Sequence, residues 1–181
     1  MGGWTYFDTA IGPCGLAWGE QGIVGSQLPE RDEQALLRRM QRRFALLPRI
    51  MATDEMPADA VEAMRGVQAM LRGEPVDLSA VPLDLRGIAD FHQRAYALAR
   101  QLQPGQTTTY GELARQLGDP GLARAVGQAM GQNRFAPIVP CHRVLAADGS
   151  AGGFSAVGGA HTKLRLLAIE RAAPNGQPSL F

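Results

Sequence analysis

Ligands for a metal are scarce in this chain. Its two cysteines, Cys14 and Cys141, stand far apart, and its three histidines, His92, His142 and His161, are scattered, so the close pairs that zinc sites use are absent. No metal and no cofactor is expected. A single long-range disulfide is not expected either, because the N-terminus lacks the basic-then-apolar pattern of an export signal. No apolar run approaches the roughly 20 residues that cross a bilayer. The expected address is the cytosol, with no membrane partner.

Strong charge of one sign is also missing, since 18 Lys and Arg face 17 Asp and Glu, but the balance is uneven along the chain. Residues 1–81 hold 8 basic against 11 acidic side chains, and residues 82–181 hold 10 against 6. A polyanion would be drawn to the second half, through few phosphate contacts. With 181 residues, 45% of them hydrophobic, the chain can bury one substantial domain or two small ones.

Residues 4–28 alternate and turn. Trp4, Tyr6 and Phe7, then Cys14, Leu16 and Trp18, then Ile23 and Val24 predict three short antiparallel strands separated by Gly12-Pro13 and Gly19 to Gly22. Cys14 is expected to pack inward with Leu16 and Trp18. A helix follows from about 30 to 46 with Leu37, Met40 and Phe44 as its stripe, and another over 58–72 with Ala60, Met64, Val67 and Leu71. Arg38, Arg39, Arg42 and Arg43 read as a solvated helix face. The polar, proline-bearing stretch from Glu74 to Pro82 marks a domain boundary. Beyond it, a helix over 87–102 aligns Phe91, Ala95, Leu98 and Leu102, leaving His92 at the surface.

From Thr109 the punctuation is explicit. Thr109-Tyr110-Gly111-Glu112 fits a capping box, Gly118 suits the position past a helix end, and Asp119-Pro120 suits the cap and first residue of the next helix. Two short helices joined so tightly form a helix-turn-helix. In the second, 120–132, a turn of about 100° per residue puts Leu122, Val126, Ala129 and Met130 on one side and Arg124, Gly127, Gln128 and Gly131 on the other. Glycine on an open helical face costs about 1 kcal/mol relative to alanine, so close approach of something bulky is the economical explanation. Asn133 follows, and asparagine readily ends helices.

The run Ile138-Val139-Pro140-Cys141-His142-Arg143-Val144-Leu145 embeds a cysteine and a histidine in an apolar segment that reads as an interior strand. Thiolate is the nucleophile, and an ordinary thiol is only a few per cent ionised near neutrality, so Cys141 needs a base. His142 is the candidate, yet neighbours on a strand point to opposite faces, so a bridging water or a local turn is required. A buried structural cysteine beside a satisfied histidine is the bland alternative. Asp148-Gly149 then turns the chain into a glycine-rich loop around Phe154-Ser155. A last helix over 161–171 packs Leu164, Leu167 and Ala168 and carries Glu170, and the tail 174–181 is expected to be disordered.

Pro140-Cys141-His142-Arg143, flanked by Ile-Val and Val-Leu, resembles the active-site signature of the O6-alkylguanine-DNA alkyltransferases, or methylated-DNA–protein-cysteine methyltransferases. Ala123-Arg124-Ala125-Val126-Gly127-Gln128-Ala129-Met130 and Asn133 stand upstream at the family's distance. The resemblance covers the second half closely and the first half loosely. It implies an α/β (α+β) fold: an N-terminal supporting domain, 1–80, with a three-stranded sheet and helices. A mostly helical DNA-binding and alkyl-acceptor domain, 81–173, then carries the helix-turn-helix and a short active-site strand or hairpin.

The implied activity is stoichiometric methylated-DNA-protein-cysteine S-methyltransferase. O6-alkylguanine, or O4-alkylthymine, is flipped out of double-stranded DNA by a monomer that enters the minor groove, and the alkyl group moves irreversibly to Cys141. The resemblance assigns His142 as base through a water, Glu170 as its orienting carboxylate, Asn133 as hinge, and Tyr110 as donor to the departing guanine. It gives DNA contacts to Thr109, Arg124, Ala125, Gly127, Gln128 and Gly131, with Arg124 filling the vacated stack. Pro140, Val144, Phe154, Ser155, Lys163 and Tyr110 would line the base pocket. Two departures are visible: Arg134 stands where the family usually has proline, and the loop from Phe154 to Lys163 is longer than in many relatives. The competing readings are an alkylated-base-binding module without transfer, a helix-turn-helix regulator, and a cysteine hydrolase.

Overall fold

The structure is a computed structural model that describes residues 1–150 and 156–172. They divide into two compact units, one comprising residues 1–86 and 134–138 and the other residues 87–133 and 139 onward. Phe154, Ser155 and the tail, on which expectations were placed, lie outside the described residues.

In the first unit, strands β1 (Gly3–Phe7), β2 (Cys14–Gly19) and β3 (Gly22–Gln27) form the expected antiparallel sheet in sequence order. β2 is central and buried along Cys14 to Trp18, which is why it reads as a nearly continuous apolar run. Helix α1 (Glu33–Arg43) covers one face, where Leu36 and Met40 meet Trp4 and Ala17. Gly15 is glycine because a side chain there would run into the Met40 thioether. Cys14 and Leu16 point the other way and are equally buried, as expected for Cys14.

α1 is shorter than the periodicity suggested because the Asp32 carboxylate caps it, accepting from the Ala35 amide at 2.7 Å. Its buried pair is Leu36 and Met40, with Leu37 and Phe44 at the margin. Arg38, Arg39 and Arg42 are exposed as expected. Arg43 is not. Its guanidinium donates to the Ser26 carbonyl and Gln27 Oε1, both at 2.8 Å, and to the Arg134 carbonyl at 3.1 Å. Helix α2 (Ala58–Leu71) buries the predicted stripe of Ala60, Met64, Val67 and Leu71.

The second unit begins with α3 (Asp90–Ala99), whose buried face is Ala95, Tyr96 and Ala99. The predicted stripe through Phe91, Leu98 and Leu102 is rotated, because the Tyr96 hydroxyl donates to the Ala129 carbonyl at 2.8 Å and needs the inner position. His92 is accordingly half-buried beside the Phe91 and Tyr96 rings, not on the surface.

A two-residue strand, β4 (Thr108–Thr109), leads into α4 (Tyr110–Gln116). Thr109 Oγ1 accepts from the Glu112 amide at 3.1 Å, but the Glu112 carboxylate turns to Arg115 and Gln116, so only half of the predicted capping box forms. Gly118 has φ of +107°, and the Asp119 carboxylate accepts from the Gly121 amide at 2.7 Å. One 3-10 turn over Pro120–Leu122 then runs into α5 (Ala123–Gly131), completing the helix-turn-helix.

Strand β5 (Val144–Leu145) pairs in parallel with β4, and the chain turns at Asp148-Gly149 as predicted. Helix α6 (Ala160–Ile169) buries Lys163, Leu166 and Leu167 and exposes Leu164 and Ala168, which corrects the predicted stripe. The rotation follows from Lys163, whose ammonium finds two oxygens in the interior.

Gly22 turns between β2 and β3 at φ +124°, and a Cβ there would stand 2.5 Å from the Pro82 carbonyl oxygen. Gly22→Ala is therefore expected to lower unfolding free energy by about 2 kcal/mol in urea denaturation. An unchanged midpoint would show that the turn relaxes freely.

Candidate active site

The segment expected to be one interior strand is a strand only at Val144–Leu145. Pro140 sits at φ −82° and ψ 64°, and the Cys141 amide donates back to the Val139 carbonyl at 2.8 Å, an inverse γ-turn. Cys141–Arg143 then form a 3-10 turn closed by the Arg143 amide on the Pro140 carbonyl at 3.0 Å. Proline has no N–H to offer a ladder, so the chain folds on itself instead. The opposite-faces constraint on Cys141 and His142 disappears with the strand.

His142 is fully buried, and its Nε2 lies 2.9 Å from Glu170 Oε1. A carboxylate only accepts, so in the neutral ring the proton is on Nε2 and Nδ1 carries the lone pair. Nδ1 is buried and has no hydrogen-bond partner among the described residues. It is a base without a proton.

Glu170 is shared. Arg143 Nη2 reaches Oε1 at 2.6 Å, Arg143 Nε reaches Oε1 at 3.2 Å and Oε2 at 3.0 Å, and Arg143 Nη1 donates to the Leu102 carbonyl at 2.5 Å. Burial alone would raise the Glu170 carboxyl, but the histidine and the arginine hold it down to about 2. Burial lowers His142 and outweighs the pull of Glu170, so the ring is neutral at rest and Arg143 is the standing counter-ion. Arg143 was not singled out from the sequence, although a charged residue inside an apolar run was a signal for it.

Cys141 is 2% exposed, and burial pushes its thiol up while the Asn133 side chain and the charge of Lys163 pull it down without prevailing. Asn133 Nδ2 also donates to the Val139 carbonyl at 2.8 Å, tying the end of α5 to the cysteine turn. Lys163 is 1% exposed and donates to the Val144 carbonyl at 2.6 Å and the Tyr110 hydroxyl at 3.2 Å, and burial lowers it to about 8. Burial raises Tyr110, with a further push from Cys141.

Tyr110 also lines a groove of about 710 Å³ with Gly111, Arg124, Gly127, Gly131 and Ala146. On α5, Val126, Ala129 and Met130 are buried while Arg124, Gln128 and Gly131 are exposed, as the wheel predicted, with Leu122, Ala125 and Gly127 half-buried. Among the described residues, nothing beyond the helix itself lies within 4 Å of where a Cβ would stand on Gly127 or Gly131. Packing among the described residues gives no reason for glycine there.

Because Glu170 is ionised far below an ordinary carboxyl, its contribution to stability is present above about pH 4.5 and is lost as pH falls towards 2. Urea midpoints from about pH 6 to about pH 3 should fall for the parent and fall less steeply for Glu170→Gln, with roughly 2–3 kcal/mol at stake. Parallel curves would contradict the pairing.

Comparison with known proteins identifies the family. Residues 90–172 match the family model described as 6-O-methylguanine DNA methyltransferase, DNA binding domain. The methylated-DNA–protein-cysteine methyltransferase of Mycolicibacterium paratuberculosis is 40% identical over 127 residues, 70% of this chain and 74% of that protein. That of Mycobacterium bovis is 43% identical over 119 residues, 66% of this chain and 70% of that protein. The crystal structure of an OGT from Mycobacterium tuberculosis in complex with DNA superposes with a TM-score of 0.72 at 35% identity, covering 94% of this chain and 96% of that one. The chain therefore belongs to the methylated-DNA–protein-cysteine methyltransferase family.

Proposed function

We propose that this protein repairs alkylated DNA by taking the alkyl group from O6 of a guanine onto its own Cys141, once per molecule. The observation that carries the reading is that one unit holds a buried thiol, a neutral histidine whose Nδ1 has no partner among the described residues, and a groove lined by Tyr110 and by glycines. In this reading residues 81–173 bind DNA and accept the alkyl group, and residues 1–80 support them.

A guanine inside a duplex is out of reach, so the base must leave the stack at a cost of a few kcal/mol. The exposed face of α5 suits the minor groove. Thr109, Ala125, Gly127, Gln128 and Gly131 admit its walls, and Arg124 fills the vacated space. Pro140, Val144, Phe154 and Ser155 would line the pocket for the base. O4-alkylthymine is a second substrate of the same geometry, and the protein acts as a monomer.

The thiol proton passes through a bound water to His142 Nδ1, and Glu170 on the far nitrogen stabilises the imidazolium. Cys141 Sγ then bonds to the alkyl carbon as the carbon–O6 bond breaks, and Tyr110 supplies a proton to the leaving guanine. Asn133 holds the turn, and Lys163 favours the thiolate. The thioether product is not readily hydrolysed, and no group in the site returns it to a thiolate.

Cys141→Ser, given duplex DNA carrying methyl-labelled guanine, should retain the DNA and transfer no label. Transfer surviving this change would exclude Cys141 as acceptor. Gly127→Ala should gain up to about 1 kcal/mol in helix stability and yet bind DNA more weakly, because its methyl enters the groove contact. Equal or tighter binding by a stabilised Gly127→Ala would place DNA elsewhere.

A further inference from the structure

The resting protonation of His142 depends on how many charges are buried with it. Glu170 Oε1 accepts both from His142 Nε2 and from Arg143, and Glu170 Oε2 accepts from Arg143 and, at 3.5 Å, from the Gly105 amide. Side-chain exposure is 0% for His142, 2% for Glu170 and 7% for Arg143. With the ring neutral, the buried trio of arginine, glutamate and histidine sums to zero. Protonating the ring leaves it with one uncompensated positive charge. Without the guanidinium the order reverses: glutamate with neutral histidine is a buried anion, and protonation makes the pair neutral.

The other groups around the ring do not cancel this effect. Cys141, on the same turn, is held as the neutral thiol by its burial. From α6, Lys163 is a second cation acting against protonation, as Arg143 does. From α4, Tyr110 is neutral and engaged with Lys163. Glu170 is the anion that acts on the ring, and it is the one that Arg143 occupies.

We infer that Arg143 is a positioning residue that sets the strength of the base. By gripping the carboxylate that His142 also uses, its guanidinium keeps the imidazole neutral, with Nδ1 open to receive the thiol proton. The inference rests on the proposed transfer to Cys141, but the charge count holds whether or not transfer occurs. The guanidinium fork also anchors the turn: Nη1 donates to the Leu102 carbonyl in the segment that follows α3, so the charge and its direction are fixed together.

The test is the pH titration of the His142 ring by NMR in the parent, Arg143→Gln and Arg143→Lys, beside single-turnover transfer from methylated duplex across the same pH range. In the parent, the ring should titrate below the ordinary value of about 6.5. In Arg143→Gln it should move up by about one pH unit or more, and in Arg143→Lys by less than half as much. Transfer by Arg143→Gln should fall about threefold or more near pH 6 and be kept or raised near pH 9, because more of the base is blocked by its own proton on the acid side.

A merely structural arginine would slow transfer by one factor at every pH and leave the ring titration in place, and that result would overturn the inference. So would failure of both variants to fold, since Arg143 would then hold the turn and not tune the base. A parent protein that never methylates Cys141 would remove the proposed function, whereas the ring titration would still decide the role of Arg143.

Discussion

One buried carboxylate, shared between a histidine and an arginine, is the constraint on which the site depends. Glu170 could not remain ionised in that interior without a cation, and Arg143 supplies one. With the anion already compensated, His142 stays neutral, its Nε2 proton points at Glu170, and Nδ1 is the basic end. Burial keeps the neighbouring thiol protonated. The buried trio of Arg143, Glu170 and His142 is therefore neutral as a set, with Lys163 as the further cation beside it.

The helix-turn-helix belongs to the same unit as that sulfur. α5 presents Arg124 and glycine to the outside and packs Val126, Ala129 and Met130 inside, with Tyr96 holding a carbonyl of its last turn. Asn133, just past that helix, bonds the carbonyl two residues before Cys141. The helix that carries Arg124 and the turn that carries Cys141 are thus joined by a short hydrogen-bonded path within one unit.

Much of this was legible in the residues. The alternation around Cys14, Leu16 and Trp18, the Gly118 and Asp119-Pro120 punctuation and the two faces of α5 all rest on local rules that tertiary packing did not override. The errors came where one polar atom, or one proline, outweighed the apolar pattern. Tyr96 rotated α3 to reach a carbonyl, Lys163 rotated α6 to reach Val144 and Tyr110, and Pro140 turned an apolar run into a γ-turn and a 3-10 turn. Arg143 looked like part of a motif; its partner lies far along the chain, and spacing could not pair them.

The most direct test is the intact mass of the protein after incubation with a large excess of duplex DNA bearing methylated guanine. The account predicts one added methyl group per chain, on the peptide containing Cys141, and no further demethylation once every chain carries it. An unchanged mass, a methyl group on another residue, or repair continuing beyond one equivalent would contradict it.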